Sequence, residues 1–126
     1  MSDGLRGVVV THGTLAGALI DAVAAITGTA EGFVAISNAG CGRERLLEEI
    51  ETAVGDDPAV VFVDLPSGSC LQASAIFRRS HAHVAVVAGV NLAMLLDFAL
   101  HREGTPSDAA ARAREVGARA LQVWEP

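Results

Sequence analysis

The fold is decided by residues 59–70, which read AVVFVDLPSGSC. The opening run of apolar, largely β-branched residues predicts a strand that is buried on both faces. The acid, Pro, Ser and Gly that follow predict a turn, and a helix is expected to begin at Ser69. A buried strand that leads directly into a helix is typical of a parallel sheet covered by helices.

The same alternation of strand and helix extends along the chain. Further strands are predicted at residues 7–10, 33–37 and 84–88, and helices at residues 14–27, 43–54, 69–79, 92–101 and 106–119. A weaker alternation favours a short final strand at residues 121–124. No repeat or linker interrupts the pattern. Residues 1–126 are therefore expected to form a single doubly wound α/β domain with a mainly parallel sheet, in the strand order 2-1-3-4.

Some details of the helices follow from spacing and capping. Asn91 is expected to cap the helix that follows the fourth strand, and Thr105 is expected to cap the last helix. In the first helix, apolar residues recur at helical spacing. These residues are Leu15, Leu19, Val23 and Ile26.

Composition and charge exclude several classes of protein. A hydrophobic content of 51% over 126 residues is enough for a packed core and argues against disorder. A net charge of −6 argues against a nucleic-acid binder, which needs a basic surface. The uncharged stretch at residues 80–96 is interrupted by His81, His83 and Asn91, so it is not expected to span a membrane. With two cysteines and no signal peptide, a cytoplasmic protein with reduced thiols is expected.

Reactive residues follow two strands at one edge of the predicted sheet. His12 and Gly13 come after the first strand, and Asp64, Gly68 and Ser69 come after the third. In the order 2-1-3-4 these strands are neighbours, so His12 and Asp64 are expected to meet. A carboxylate bound to one imidazole nitrogen leaves the other nitrogen free as a nucleophile. Backbone N–H groups at Gly13, Gly68 and Ser69 would receive an anion, which indicates transient phosphorylation of His12.

These pieces resemble a known family, the mannose-type enzyme IIA component of the bacterial phosphoenolpyruvate-dependent sugar phosphotransferase system. The matching segments are residues 11–13 (THG), 63–69 (VDLPSGS) and 87–95 (VAGVNLAML), in family order, and the resemblance covers essentially the whole chain. Ser67 stands where the family usually has Gly, and Cys70 and Ala93 stand where it usually has Pro. A serine at position 67 would constrain the loop if that position needs a positive φ.

The resemblance implies a mechanism and a set of partners. His12 would accept a phosphoryl group, through Nε2, from the histidine phosphocarrier protein and pass it to a IIB component. Asp64 would orient the ring, and Ser69 would belong to the phosphate loop. Neither a cofactor nor a metal ion is implied. The resemblance also implies a homodimer in which residues 121–124 add an antiparallel strand to the partner's sheet.

Two other functions remain open on the sequence. His12 could be phosphorylated as a signal in an incomplete phosphotransferase system, where it would control binding to a kinase, a transporter or a transcription factor. The sequence contains no IIB domain, which is compatible with such a regulatory role. A hydrolase triad of Ser69, His12 and Asp64 is the other alternative, although Ser69 does not lie in a Gly-x-Ser-x-Gly elbow.

Simpler roles compete at several positions. Ser69 is interpreted equally well as a helix cap or as part of a phosphate site. His81 and His83 resemble a metal-binding pair, but they lack a nearby third ligand and lie at the opposite end of the sheet from His12. Cys70 lies at a helix start, where a thiolate is favoured, yet a small buried residue is the simpler interpretation.

Overall fold

The computed structural model describes residues 4–126, and strands and helices alternate along them. The elements are β1 (Arg6–Thr11), α1 (Leu15–Thr27), β2 (Phe33–Ser37), α2 (Arg43–Val54), β3 (Ala59–Val63), α3 (Ser69–Arg79), β4 (Val84–Ala88), α4 (Leu92–Leu100) and α5 (Pro106–Arg119). The boundaries of these elements agree with the predicted ones to within one residue. The final strand predicted at residues 121–124 is the exception.

The four strands form one parallel sheet in the order β2-β1-β3-β4, which confirms the predicted topology. β1 lies between β2 and β3, so that Val9 is opposite Ala35 on one side and Phe62 on the other. The chain moves outward from β1 to β2 in one direction and from β3 to β4 in the other. The crevice at such a reversal, outside the carboxyl ends of the strands, is where ligands bind in this architecture.

Each face of the sheet supports its own apolar core. On one face Val9 and Phe62 pack with α1, α4 and α5, and the Phe62 and Phe98 rings meet edge to face at 5.2 Å. On the other face Val8 and Val61 pack with α2 and α3. Because successive strand residues point to opposite faces, the continuous apolar runs of β1 and β3 supply both cores at once. His12 and Asp64 directly follow these two central strands, so the two cores fix the positions of both residues.

The first helix packs through a stripe that only partly matches the four apolar residues at helical spacing, since Val23 is buried and Leu19 packs against the core. Leu15 and Ile26, the first and last of these four, are 43% and 63% exposed. The buried residues are Ala16, Ile20 and Val23. Almost all of α1 is apolar, so two overlapping stripes satisfy the helical period. The Ala16 N–H donates to the buried Thr11 Oγ1 at 2.7 Å, and this bond fixes the first turn with Ala16 inward.

The prediction of a final strand is wrong for the single chain. Residues 121–126 have no regular secondary structure, and Leu121, Val123 and Trp124 are more than four-fifths exposed. A strand persists only where a neighbour supplies hydrogen bonds to its backbone. Among residues 4–126, no strand pairs with the outer edge of β4. The expected pairing with a second copy of the chain stays a prediction.

The helices begin at the predicted capping residues. Asn91 Oδ1 accepts a hydrogen bond from the Met94 N–H at 3.0 Å, and Thr105 Oγ1 accepts one from the Asp108 N–H at 3.1 Å. Asn91 also donates through Nδ2 to the Gly117 carbonyl, which ties α4 to α5. Over residues 4–126, the helices lack the combination of length and hydropathy that crossing a membrane requires.

Candidate functional site

His12 and Asp64 meet at the carboxyl edge of the sheet, as the strand order predicts. His12 follows the last residue of β1, and Asp64 follows the last residue of β3. One carboxylate oxygen, Asp64 Oδ2, lies 2.9 Å from the His12 backbone nitrogen and 2.9 Å from its ring nitrogen Nδ1. The other oxygen, Oδ1, accepts from the Leu65 N–H at 3.0 Å. Asp64 is therefore fixed through both oxygens, and it holds the main chain and the ring of His12 together.

This contact determines which ring nitrogen of His12 is free to react. An ionised carboxylate only accepts hydrogen bonds, so Nδ1 carries the proton and Nε2 carries the lone pair. Among the described residues, none forms a hydrogen bond with Nε2. The His12 side chain is 45% exposed, whereas that of Asp64 is 11% exposed. The His12 ring is thus partly open to solvent, while the carboxylate that contacts it is largely covered.

The surroundings of Asp64 favour its ionised form. Burial raises the pKa of Asp64 and is the largest single influence on it. The hydrogen bonds from the backbone and the ring of His12, together with the attraction of that ring when protonated, outweigh burial. The pKa of Asp64 therefore lies below its ordinary value of 3.8, and the side chain is a carboxylate at neutral pH.

Two residues at the end of β2 support the turn after His12. The Gly13 N–H donates to Asn38 Oδ1 at 3.3 Å, and the Ser37 hydroxyl donates to the Gly13 carbonyl at 2.7 Å. Gly13 has a φ of 56°, a left-handed conformation that favours glycine. Neither Ser37 nor Asn38 was among the predicted site residues. Asn38 directly follows the strand next to β1, so the strand-end criterion that identified His12 could also have identified Asn38, whereas Ser37 is the last residue of that strand.

The loop between β3 and α3 depends on glycine at one position. Gly68 has a φ of 90° and a ψ of −172°, a combination that only glycine adopts readily. A Cβ at Gly68 would touch nothing within 4 Å, so the requirement is set by the backbone and not by space. Among residues 4–126, no residue other than glycine has a positive φ. Ser67 therefore does not have a positive φ, and a serine at this position does not strain the loop.

The first turn of α3 presents unpaired N–H groups at this edge. Ser69 is the first helical residue and follows the glycine at the cap position, so its side chain does not cap the helix. The Gln72 N–H donates to the Gly68 carbonyl at 3.0 Å. The helical pattern therefore leaves the N–H groups of residues 69–71 without intrahelical acceptors. Together with the positive end of the helix dipole, such groups form an anion site.

Cys70 lies directly beneath His12. Its Sγ atom is 4.0 Å from His12 Nδ1, and the residue is fully buried. Burial, followed by the negative charge of Asp64, raises the pKa of the Cys70 thiol. The simpler interpretation, a buried and protonated thiol, is therefore favoured over the thiolate that a helix start alone would suggest. The sequence could not show that the sulfur contacts the ring.

The remaining candidate residues form no second catalytic site within the described chain. Ser69 makes no hydrogen bond with His12, so the geometry of a Ser-His-Asp triad is not formed. His81 and His83 lie between α3 and β4, at the opposite end of the sheet, as predicted. The His81 ring stacks on Phe77 at 3.9 Å and packs against His83 at 5.5 Å. Over residues 4–126 no third metal-ligating side chain joins this pair.

Comparisons with known proteins place this chain in a family. A family model described as the PTS system fructose IIA component (EIIA-man) matches residues 7–114, which include His12 and Asp64. The PTS system sorbose-specific EIIA component of Klebsiella pneumoniae is 29% identical over 119 residues, covering 90% of this chain and 87% of that protein. The match to the family model extends from β1 into α5 and therefore includes all four strands.

Solved structures support the same assignment at the level of the fold. The mannose/sorbose-specific IIA subunit of Enterococcus faecalis superposes with a TM-score of 0.86 at 22% identity, over 98% of this chain and 96% of its own. The phosphotransferase system component EIIA of Streptococcus agalactiae gives a TM-score of 0.89 at 21% identity, over 94% of this chain and 96% of its own. The chain therefore belongs to the mannose/sorbose-type family of IIA components of the bacterial sugar phosphotransferase system.

Proposed function

We propose that this IIA component is a cytoplasmic phosphocarrier in which His12 receives a phosphoryl group on Nε2 from the histidine phosphocarrier protein and passes it to a IIB component. The observation that carries the proposal is the double contact of Asp64 Oδ2 with the backbone and the Nδ1 of His12. That contact orients the ring, fixes its tautomer and leaves Nε2 without a hydrogen-bond partner among the described residues. Membership of the family supplies the class of partner.

The transfer requires one bond to form and one to break. The lone pair of His12 Nε2 attacks the phosphorus atom of the carrier's phosphohistidine, and the nitrogen–phosphorus bond to the carrier breaks as its imidazole leaves. The His12 ring gains positive charge while Nδ1 keeps its proton. Asp64 accepts that proton's hydrogen bond and stabilises the charge, as a buried carboxylate does for a catalytic imidazole. Transfer to the IIB component is the same step with His12 as the leaving group.

The negative charge of the transferred group needs fixed donors close to His12. Such donors are available in the first turn of α3, at the N–H groups of Ser69 and the residues after it. This turn lies close to the His12 ring, because it also contains Cys70, whose Sγ is 4.0 Å from His12 Nδ1. Gly13 and Gly68 supply the positive-φ backbone conformations of the two loops at this edge. Preorganised backbone donors of this kind supply most of what a protein contributes to phosphoryl transfer. We assign Gly13, Gly68 and Ser69 to the phosphate-binding region.

Phosphorylation in a reconstituted system tests the proposal. The protein is incubated with phosphoenolpyruvate, enzyme I and the histidine phosphocarrier protein, and its intact mass is followed. We expect wild type to gain one phosphoryl group and His12→Ala to gain none. His101→Ala is the matched control, because His101 is also partly exposed and also lies beside a carboxylate, Asp97, at 3.3 Å. Absence of phosphoryl uptake by wild type with an active carrier would contradict the proposal.

We also propose that two copies of the chain pair through their C-terminal segments. Leu121, Val123 and Trp124 are exposed beyond α5, and the outer edge of β4 has no partner strand within the described chain. Apolar side chains of β4 line a groove beside this edge, among them Val86 and Val87. Analytical ultracentrifugation of wild type and of a Val123→Asp, Trp124→Ala variant tests the pairing. A dimer is expected for wild type and a monomer for the variant, whereas a monomeric wild type would contradict it.

A further inference from the structure

A third metal-ligating side chain lies beside the His12–Asp64 pair. The Cys70 Sγ is 4.0 Å from the His12 Nδ1, and Asp64 Oδ2 is 2.9 Å from the same nitrogen. One nitrogen, one oxygen and one sulfur atom from these three residues lie within 4.8 Å of one another. The phosphoryl transfer described above makes no use of the sulfur. The sulfur is therefore a group at this site to which the transfer assigns no role.

Two of the three separations among these atoms, those from His12 Nδ1, are close to the separations of zinc ligands, and the third is at most 4.8 Å. Zinc bonds of about 2.0–2.2 Å to nitrogen and oxygen and about 2.3 Å to sulfur, at tetrahedral angles, separate the ligand atoms by about 3.4–3.6 Å. The two observed separations from His12 Nδ1 each differ from those values by about half an ångström. Because the His12 side chain is 45% exposed, its ring is free to make an adjustment of that size.

We propose that His12, Asp64 and Cys70 bind a thiophilic divalent cation, Zn²⁺, and that bound Zn²⁺ prevents phosphorylation of His12. Imidazole and thiolate ligands select zinc over magnesium or calcium, which prefer oxygen. Three protein ligands leave the fourth tetrahedral position to water. The thiol proton of Cys70 passes to solvent on binding.

Zinc bound at Nδ1 would prevent phosphorylation at Nε2 because the two nitrogens belong to one imidazole ring. A metal ion on Nδ1 uses the lone pair there, and the single proton of the neutral imidazole then moves to Nε2. An Nε2 that carries a proton has no lone pair with which to attack phosphorus. The metal also occupies the Asp64 oxygen that would stabilise the phosphorylated ring. The block therefore rests on the proposed function, whereas metal binding itself does not.

Cobalt serves as the spectroscopic probe for the site. Co²⁺ alone is added to the reduced full-length protein, and the thiolate-to-cobalt charge-transfer band is recorded. We expect the band in wild type, its loss in Cys70→Ser, and its retention in Cys41→Ser, because the Cys41 thiol contacts Glu49 and the Ser37 carbonyl and none of the three proposed ligands. Absence of the band from wild type, or its persistence in Cys70→Ser, would overturn the proposed site.

Zinc affinity is measured by calorimetry with ZnCl₂ on the same proteins. Loss of a residue that only hydrogen-bonds to a metal ligand typically lowers metal affinity about 10–100-fold. Loss of a direct ligand is therefore expected to lower the zinc affinity at least as much. His12→Gln provides a second variant that leaves the buried Cys70 in place, since His12 is exposed. Equal zinc affinity in wild type, Cys70→Ser and His12→Gln would overturn the proposal.

The block is measured as the rate of phosphoryl uptake with and without ZnCl₂, each variant being compared with its own metal-free rate. At free zinc about ten times its dissociation constant, about nine-tenths of the protein is occupied and the wild-type rate falls about tenfold. Cys70→Ser keeps its own metal-free rate, which excludes an effect of zinc on enzyme I or the carrier. Cobalt binding without the rate loss overturns the block. Wild type that takes up no phosphoryl group even without metal refutes the proposed function, and the cobalt band still decides the site.

Discussion

Replacing Asp64 by Asn preserves the size of the side chain and removes its charge. In the native chain a single oxygen, Oδ2, accepts from both the His12 N–H and the His12 Nδ1–H, each at 2.9 Å. An amide can offer those two donors only a neutral oxygen. If its NH₂ group turns toward the ring instead, Nδ1 becomes the acceptor and the proton moves to Nε2. The substitution therefore weakens the tautomer that phosphorylation needs or reverses it.

The size of the effect follows from the bonds that change during transfer. The backbone bond from the His12 N–H is present before and during the reaction, so its loss affects stability more than rate. The ring bond becomes charge-assisted as positive charge develops on the imidazole, and it lies where Asp64 is only 11% exposed. A hydrogen bond to a charged group contributes about 1.5–3 kcal/mol, which corresponds to a fall in the phosphorylation rate of about 10- to 150-fold.

The rate is measured as phosphoryl uptake over time, with the histidine phosphocarrier protein as donor and intact mass as the readout. Asp57→Asn is the matched control, because Asp57 also forms an ion pair, to Arg6 at 2.8 Å, but at the opposite edge of the sheet. We expect the control to keep the wild-type rate. An Asp64→Asn rate equal to that of Asp57→Asn would refute the role assigned to the carboxylate.

Four further outcomes are expected. Gly68→Ala should lower the free energy of unfolding by about 1–3 kcal/mol through backbone strain, and a urea melt equal to wild type would contradict this. Ser67→Gly should leave the phosphorylation rate unchanged, since position 67 does not need a positive φ; a faster variant would show that serine constrains the loop. Phe62→Ala should cost about 3–5 kcal/mol of stability in a urea melt, because the ring is fully buried in one core. Since the folded-state pKa of Asp64 is lowered, its stabilising contribution is present above its ordinary pKa near 3.8 and is lost as pH falls through the lower folded value. Urea midpoints of wild type and Asp64→Asn should therefore differ at neutral pH and converge in acid, and a constant difference would contradict the shift.

The parallel sheet could be predicted from sequence because its strands are apolar on both faces. The runs in β1 and β3 have no polar face, which requires helices on both sides of the sheet. The buried stripe of α1 could not be predicted, because a helix that is apolar nearly all round has no single preferred face. The state of residues 121–124 could not be predicted either, because a strand depends on a neighbour that periodicity does not reveal.

The pairing of His12 with Asp64 could be predicted, but not the contacts that other residues make with this pair. His12 and Asp64 follow adjacent strands, and the topology alone brings such residues together. The hydrogen bond from the Gly13 N–H to Asn38 Oδ1 depends on how two loops fold, and no local sequence pattern predicts it. The contact between Cys70 and His12 depends on the angle at which α3 leaves the sheet. A sequence indicates that a cysteine lies in the first turn of a helix, but not which way its sulfur points.

The central claim is that His12 carries the phosphoryl group on Nε2 while Asp64 holds the proton on Nδ1. NMR of the imidazole nitrogens in histidine-labelled protein, recorded before and after phosphorylation by the carrier, measures both at once. The expected result is a phosphorylated Nε2 and a protonated Nδ1 at His12, with the other three histidines of the chain unchanged. A phosphoryl group on Nδ1 of His12, or on any other histidine, would contradict the account.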